Sequence, residues 1–192
     1  MYWPFFPRFK SLELDFVQWV IVFLCFYGIY QAIVSFRGFW PAKPLPPASS
    51  LRRFAILVPA HNEEKVIGSL LDSLNKQSYP REFFDVYVAC DACNDATPEI
   101  AKEYGGIALL RNDPLHPGKT QNIRWALNNI PLDEYEAVVI FDADNLAHPD
   151  FLSRMNDYLE AHPEAEAVQG YLDTKNLSDS WLTKVYALAY WY

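Results

Sequence analysis

Four short apolar runs, each followed by a polar turn and then by a helical period, constrain what this chain can fold into more than any other feature. "FAILVPA" (Phe54–Ala60) is an uninterrupted apolar run and reads as a buried strand. Val66, Ile67, Leu70, Leu71 and Leu74 then fall on one face of a helix opened by "HNEE". "FDVYVAC" (Phe84–Cys90) is a second strand. "TPEIAKEY" starts a helix, with Thr97 as expected N-cap and Pro98 at the first position. "IALLR" (Ile107–Arg111) is a third strand, and "GKTQNIRWALNNI" predicts a helix from about Thr120. "AVVIF" (Ala137–Phe141) is a fourth strand. A helix follows it with Phe151, Leu152, Met155 and Leu159 inward, then a strand in "AEAVQGYL" and a last, aromatic helix in "SDSWLTKVYALAYWY". Strand–helix alternation predicts βαβ units and an α/β fold with a mostly parallel sheet. In such sheets ligands bind beyond the carboxyl ends of the strands. The turns "PAHNEE", "CDACND" and "FDADN" should therefore share one edge.

A second feature stands apart from this domain. Hydrophobic residues are 51 % of the chain and aromatics 16 %, and the excess is concentrated in "FVQWVIVFLCFYGIYQAIVSF" (Phe16–Phe36), which holds no charge. A helix of that length, at about 1.5 Å per residue, spans the roughly 30 Å core of a bilayer. Trp3, Phe5, Phe6, Tyr30 and Trp40 lie at or near its ends, where aromatic rings favour the interface. A cleavable signal peptide would show a shorter run and a small-x-small cleavage site; a buried soluble helix would show a polar face. The basic flanks are Arg8 and Lys10 before the run, and Arg37, Lys43, Arg52 and Arg53 after it. The excess of positive charge is expected to keep the long C-terminal part in the cytoplasm. The predicted organisation is an N-terminal flank over 1–15, a transmembrane helix over 16–36, a proline-rich extended linker over 37–50 and a globular α/β domain over 51–192.

From Leu51 onward the chain holds 12 Lys and Arg against 22 Asp and Glu, a balance of −10. Such a surface repels nucleic acid, so no nucleic-acid partner is expected. Any phosphate ligand needs a local device: a metal, a helix N-terminus or a single lysine. Cys90 and Cys93 form a C-x-x-C, but no second pair completes a four-ligand zinc site. They read as small residues filling a strand–turn, and Cys25 as a small residue in the apolar run.

The chemistry-bearing residues cluster at the strand ends. Asp142 and Asp144 close the fourth strand two residues apart, so in extended chain both carboxylates face one side. Such hard oxygen donors suit Mg2+ or Mn2+, with phosphate oxygens filling the remaining positions. Asp91 follows the second strand and can accept from a ribose or a base edge. Asp95 and Asn94 shape the turn and the next helix start. Pro59 and Ala60 expose backbone to a flat base, and Glu63 can reach a ribose hydroxyl or simply complement the helix dipole. Gly118 precedes Lys119, a single cation suited to a diphosphate.

Taken in order, "VPAHNEE", Asp91 with "DACNDAT", "GK" before a helix, "FDADN" and "VQG" resemble glycosyltransferase family 2, over about Phe54 to Asn176. The resemblance implies the GT-A fold, and the run Phe16–Phe36 with the linker is similar to the membrane-bound branch. It implies that Pro59, Ala60, Glu63 and Asp91 hold the nucleoside, most often uridine. Lys119 would lie near the diphosphate, Asp142 would support the ribose or phosphate side, and Asp144 would coordinate Mg2+ or Mn2+. The implied reaction is inverting sugar transfer from a UDP-sugar to a lipid or polysaccharide acceptor at the cytoplasmic membrane face. After the lysine, "GKTQNIRWALNN" puts Gln121 and Asn122 where family members commonly have GK-x-x-A-L-N.

The family's general base is an acid well downstream of the D-x-D. No acid after Asp144 sits in such a context; Asp150, Asp157 and Glu160 read as a helix start and its solvent face. The chain is therefore expected to be the N-terminal portion of a longer or split enzyme. Two other classes remain open at this stage. One is a membrane-tethered nucleotide-sugar-binding module or partner subunit without its own base. The other is a nucleotidyltransferase, which should carry a glycine-rich loop after the first strand, where "VPAHNEE" has no glycine.

Overall fold

The computed structural model describes residues 15–37, 44–176 and 178–190, with side chains described as far as Val185 in the last segment. The expected anchor residues Trp3, Phe5, Phe6 and Trp40, the flanking Arg8, Lys10 and Lys43, and Trp191 and Tyr192 lie outside these residues. The chain divides into an N-terminal unit and the unit Pro44–Tyr190.

In the N-terminal unit, α1 (Phe16–Arg37) is a single helix of 22 residues with a mean hydropathy of 1.9. None of its residues is buried, so its apolar side chains find no protein core. Among the described residues it is the one helix long and apolar enough to cross a membrane.

The second unit is built on a four-stranded parallel sheet of order β3-β2-β1-β4, with β1 (Phe54–Ala60), β2 (Phe84–Asp91), β3 (Ile107–Arg111) and β4 (Ala137–Ile140). β1 pairs with β2 along its whole length, Phe54 with Phe84 through Ala60 with Cys90, and with β4 from Phe54–Ala137 to Leu57–Ile140. Its seven residues are all buried. Phe54, Ile56 and Val58 join one core layer with Ile67, Leu70, Leu71 and Leu74 of α2 (Ile67–Asn75), Ala101 of α3 (Thr97–Glu103) and Leu152 of α5 (Phe151–Ala161). Ala55 and Leu57 join the opposite layer with Tyr87, Ala89 and Ala126 of α4 (Lys119–Leu127). A strand covered on both faces reads as a continuous apolar run, as "FAILVPA" does.

From β1 the chain proceeds through β2 to β3 on one side, then returns to add β4 on the other. The strand order reverses between β1 and β4, which opens a crevice beyond their carboxyl ends.

Four expectations need correction. Residues 165–172 form no strand. Their apolar pattern meets no ladder: Val168 and Leu172 are part-exposed and Tyr171 largely so, while Gly170 lies against Phe151 and Met155, where a Cβ would come within 2.9 Å of the Phe151 ring. β4 has no strand at its outer edge among the described residues, and its Val138 and Ile140 stay exposed. Thr97 is not the cap of α3 but its first residue; Ala96 precedes the helix, and the Asp95 carboxylate accepts the Thr97 N–H at 3.1 Å. The helix expected from "HNEE" starts later, at Ile67, because the Glu63 carbonyl accepts both Val66 and Ile67 N–H groups in a preceding turn.

The fourth correction concerns Asp157 and Glu160. They do not simply face solvent. Asp157 accepts the Ala48 N–H at 2.8 Å, and Glu160 accepts those of Ser49 and Ser50 at 2.7 and 3.3 Å. Buried Asn156 completes this clasp, donating to the Ser50 carbonyl at 2.8 Å and accepting from the Arg52 N–H at 3.2 Å. The end of the linker is thus tied to α5. Asn156→Ala, which orphans both main-chain groups, should lower stability by about 1–3 kcal/mol in urea denaturation; an unchanged midpoint would show that the clasp contributes nothing.

Candidate active site

A cavity of about 360 Å³ opens beyond the carboxyl ends of β1 and β2, a size typical of small-ligand sites. Pro59 and Ala60 from the end of β1, Glu63 from the following turn, Asp91 from the end of β2, and Lys119 and Asn122 from α4 line it. Five of the seven residues singled out in the sequence therefore meet at one cavity. Asp142 joins them through an ion pair with Lys119. Asp144 does not line this cavity.

The two acids of the D-x-D are exposed while Phe141 and Ala143 between and before them are buried, so both carboxylates leave the core on the solvent side. They do so from a turn rather than a strand: β4 ends at Ile140, and the Asn145 N–H donates to the Asp142 carbonyl at 3.0 Å. No group of three or more His, Cys, Asp and Glu among the described residues forms a metal cage. A divalent cation would have two carboxylates here and would draw its other oxygens from ligand and water, which is how Mg2+ and Mn2+ are held beside phosphates. The donor set fits such a cation, and Asp144, unlike Asp142, is not engaged by Lys119.

Asp91 brings a partner that the sequence does not announce. Arg111, at the end of β3, donates from Nη1 to Asp91 Oδ1 at 2.6 Å, with both side chains nearly buried. Its Nη2 donates to the His116 carbonyl at 2.5 Å and to Asp113 Oδ2 at 3.3 Å. One guanidinium thus neutralises Asp91 and ties down the β3–α4 loop. In the sequence Arg111 reads only as the last residue of a strand. The signal was its register: β2 and β3 pair Asp91 directly with Arg111. Asn122 is likewise missed. It is buried, donates from Nδ2 to the Ala89 carbonyl at 2.7 Å, and its Oδ1 has no partner.

Lys119 opens α4, and Gly118 before it has φ of 110°, a conformation that strains any residue with a Cβ. The chain turns there so that the first N–H groups of α4 point toward the loop side, a setting that favours anions. The loop after β1 and the loop after β2 are bound to each other. His61 Nδ1 donates to the Asp91 carbonyl at 2.5 Å, and the Glu63 N–H donates to Thr97 Oγ1 at 2.8 Å.

Among the described residues the thiols form no metal-ligand set; Cys93 joins the frame by accepting the Asn62 N–H at 3.4 Å. Cys90 is buried and Cys93 half-buried, with their S–H groups directed at the Val88 and Ala60 carbonyls. Burial, reinforced by the neighbouring Cys93, pushes the Cys90 thiol up to about 12. The Cys90 thiol is thus held in its neutral, unreactive form near neutral pH. With Cys25 replaced by serine, native protein should therefore react with a thiol reagent at pH 8 far more slowly than unfolded protein; fast labelling of the pair would show that the thiols are accessible and ionised.

Comparison with known proteins agrees with this geometry. A family model described as "Glycosyltransferase like family 2" matches residues 52–192. The chain is 31 % identical over 117 residues to the poly(ribitol-phosphate) beta-N-acetylglucosaminyltransferase TarS of Staphylococcus aureus, which covers 58 % of this chain and 20 % of that protein. It is 37 % identical over 108 residues to the beta-monoglucosyldiacylglycerol synthase of Trichormus variabilis, covering 54 % of this chain and 22 % of that one. The chain thus spans about a fifth of the length of these relatives. Among solved structures, the mannosyltransferase PcManGT from Pyrobaculum calidifontis, in complex with GDP-Man and Mn2+, superposes with a TM-score of 0.58 at 25 % identity over 73 % of this chain and 42 % of that chain. The S. aureus TarS crystal structure gives 0.51 at 25 % identity over 64 % of this chain and 24 % of that chain. The expected α/β architecture of GT-A type is borne out.

Proposed function

We infer, for a chain that belongs to glycosyltransferase-like family 2, that it binds a nucleotide-sugar and takes part in inverting transfer of the sugar to an acceptor hydroxyl. One observation carries this reading: residues from separate segments, Pro59, Ala60, Glu63, Asp91 and Lys119, line one cavity beside the point where the strand order reverses. That is where open α/β sheets take nucleotides.

The roles follow from the groups present. Arg111 occupies one oxygen of Asp91, leaving the other to accept an N–H from a base. Uracil offers a ring N–H flanked by carbonyls, and guanine a ring N–H beside one; the adenine ring N1 is an acceptor, so adenine could meet the carboxylate only through its exocyclic amino group. A UDP-sugar is the proposed donor, with a GDP-sugar the nearest competitor, as carried by the mannosyltransferase relative. The Pro59–Ala60 backbone flanks the base and Glu63 accepts from a ribose hydroxyl. Lys119 and the start of α4 receive the diphosphate, which replaces Asp142 as partner of the lysine and frees that carboxylate. A divalent cation held by Asp144, and by the freed Asp142, would neutralise charge on the leaving diphosphate. The acceptor is proposed to be a lipid or a polysaccharide; of the two curated relatives, one is named for a diacylglycerol, a lipid, and the other for poly(ribitol-phosphate), a polyol-phosphate polymer.

Calorimetric titration of the full chain in nanodiscs tests the donor reading. UDP should bind with Mn2+ and bind weakly with a chelator. ADP should bind at least about tenfold more weakly than UDP, a difference of ~1.4 kcal/mol. Asp144→Asn should remove the metal dependence. Absence of nucleotide binding by folded protein would sink the proposal.

The proposal also sets the chain in the cytoplasmic membrane. The length and hydropathy of α1 support a span, and the basic residues after it support a cytoplasmic second unit. In sealed right-side-out vesicles the second unit should resist added protease until the membrane is permeabilised; digestion beforehand would reverse the orientation.

A further inference from the structure

The turn after β1 and the turn after β2 are about thirty residues apart in sequence, yet they are joined by a dense set of hydrogen bonds from main-chain N–H groups to side-chain acceptors. The Glu63 N–H donates to Thr97 Oγ1 at 2.8 Å. The Glu64 N–H donates to Asp95 Oδ2 at 3.0 Å, and the Glu64 carboxylate in return accepts the Ala96 N–H at 3.1 Å. The Asn94 N–H donates to Asn62 Oδ1 at 2.9 Å, and the Asn62 N–H donates to Cys93 Sγ at 3.4 Å. Asn62 and Ala92 are the two residues other than glycine, among those described, with positive φ, at 57° and 49°. Non-glycine residues hold that conformation only where surrounding bonds over-determine it.

Thr97 is the buried member of this set, with no exposed surface, whereas Glu64 is exposed. Its hydroxyl is the acceptor for the main-chain N–H of Glu63, a residue that lines the cavity. Removing that acceptor leaves a part-buried donor without a partner and loosens the turn at Glu63, although the neighbouring bonds of Asn62 and Glu64 remain. Small displacements of binding groups are enough to cost affinity.

We propose that Thr97 is a positioning residue for the nucleotide-sugar, acting through Glu63: it touches no ligand, and it fixes the turn that presents the Glu63 carboxylate to the cavity. This rests on the donor reading above. The consequence is that the nucleoside platform is a single body formed before ligand arrives, with the β1 and β2 turns unable to adjust separately.

The test is calorimetric titration of UDP with Mn2+ into the full chain in nanodiscs, comparing wild type, Thr97→Val, Thr97→Ser, Glu63→Ala and the Thr97→Val/Glu63→Ala pair. Valine keeps the shape of threonine and lacks the acceptor, and should weaken UDP about tenfold. Serine keeps the hydroxyl and should bind within about twofold of wild type. Once Glu63 is alanine, the valine should add no further loss, because its effect is transmitted through that side chain. Thr97→Ala, which also lacks the hydroxyl, replaces the valine variant if that one does not fold. Wild-type affinity in the valine or alanine variant overturns the proposal, as do failure of serine to restore binding and losses that multiply in the double variant. If wild type binds no nucleotide, the donor reading fails first, and the proposal falls with it without reference to any Thr97 variant.

Discussion

Everything in the second unit is referred to β1. The strand is covered on both faces, paired with β2 along its whole length and with β4 from Phe54 to Leu57, and each of its seven residues is buried. Burying large aliphatic and aromatic side chains there contributes roughly 1.5–3 kcal/mol each relative to exposure. A strand so constrained cannot slip by one residue without exchanging its two core layers. Its register therefore fixes where β2 and β4 end, and with them the turns that carry Glu63, Asp91 and the D-x-D. The crevice is a by-product of how the sheet grows in two directions from one strand.

That geometry also explains the division of labour among the charged residues. The acid at the tip of β2 is nearly buried, and it is tolerated because Arg111 lies across from it in the next strand. A buried charge with a hydrogen-bonded partner is stable where a lone one is not. The acids after β4 lie in an exposed turn, where Lys119 can pair with one of them and let go again at little cost. The first pair belongs to the frame of the cavity. The second is a loose contact at its mouth.

How much of this could be read in advance depends on the range of the forces concerned. β1 appears in the sequence with its observed limits because a strand buried on both faces must be apolar from end to end, whereas β3, an edge strand with Ile107 and Leu110 exposed, is marked only by its short apolar run, and β2 is read within one residue. The strand-end residues were legible because the carboxyl edge of a parallel sheet is where its turns converge. The pairing of Arg111 with Asp91 was not, since it depends on a register set between two strands rather than on either one. The same holds for Thr97: by local pattern it is a helix cap, yet its hydroxyl is taken by a main-chain group thirty-four positions earlier. Residues 165–172 show the reverse error. Their alternation suits a strand, but a strand needs a neighbour, and no alternation within one segment can supply that.

The clasp on the linker has a mechanical consequence. Ala48, Ser49, Ser50 and Arg52 are held by Asp157, Glu160 and Asn156 just before β1 begins, whereas the cavity opens where β1 ends. Seven strand residues, at about 3.3 Å each, put some 20 Å of hydrogen-bonded sheet between the two. A pull on the linker is taken up at the clasp and passes into α5 and the sheet as shear along hydrogen-bonded rows, the direction in which such rows are stiffest. The clasp and the opening thus lie at opposite ends of one strand, and the residues that hold the linker are separate from those that line the cavity.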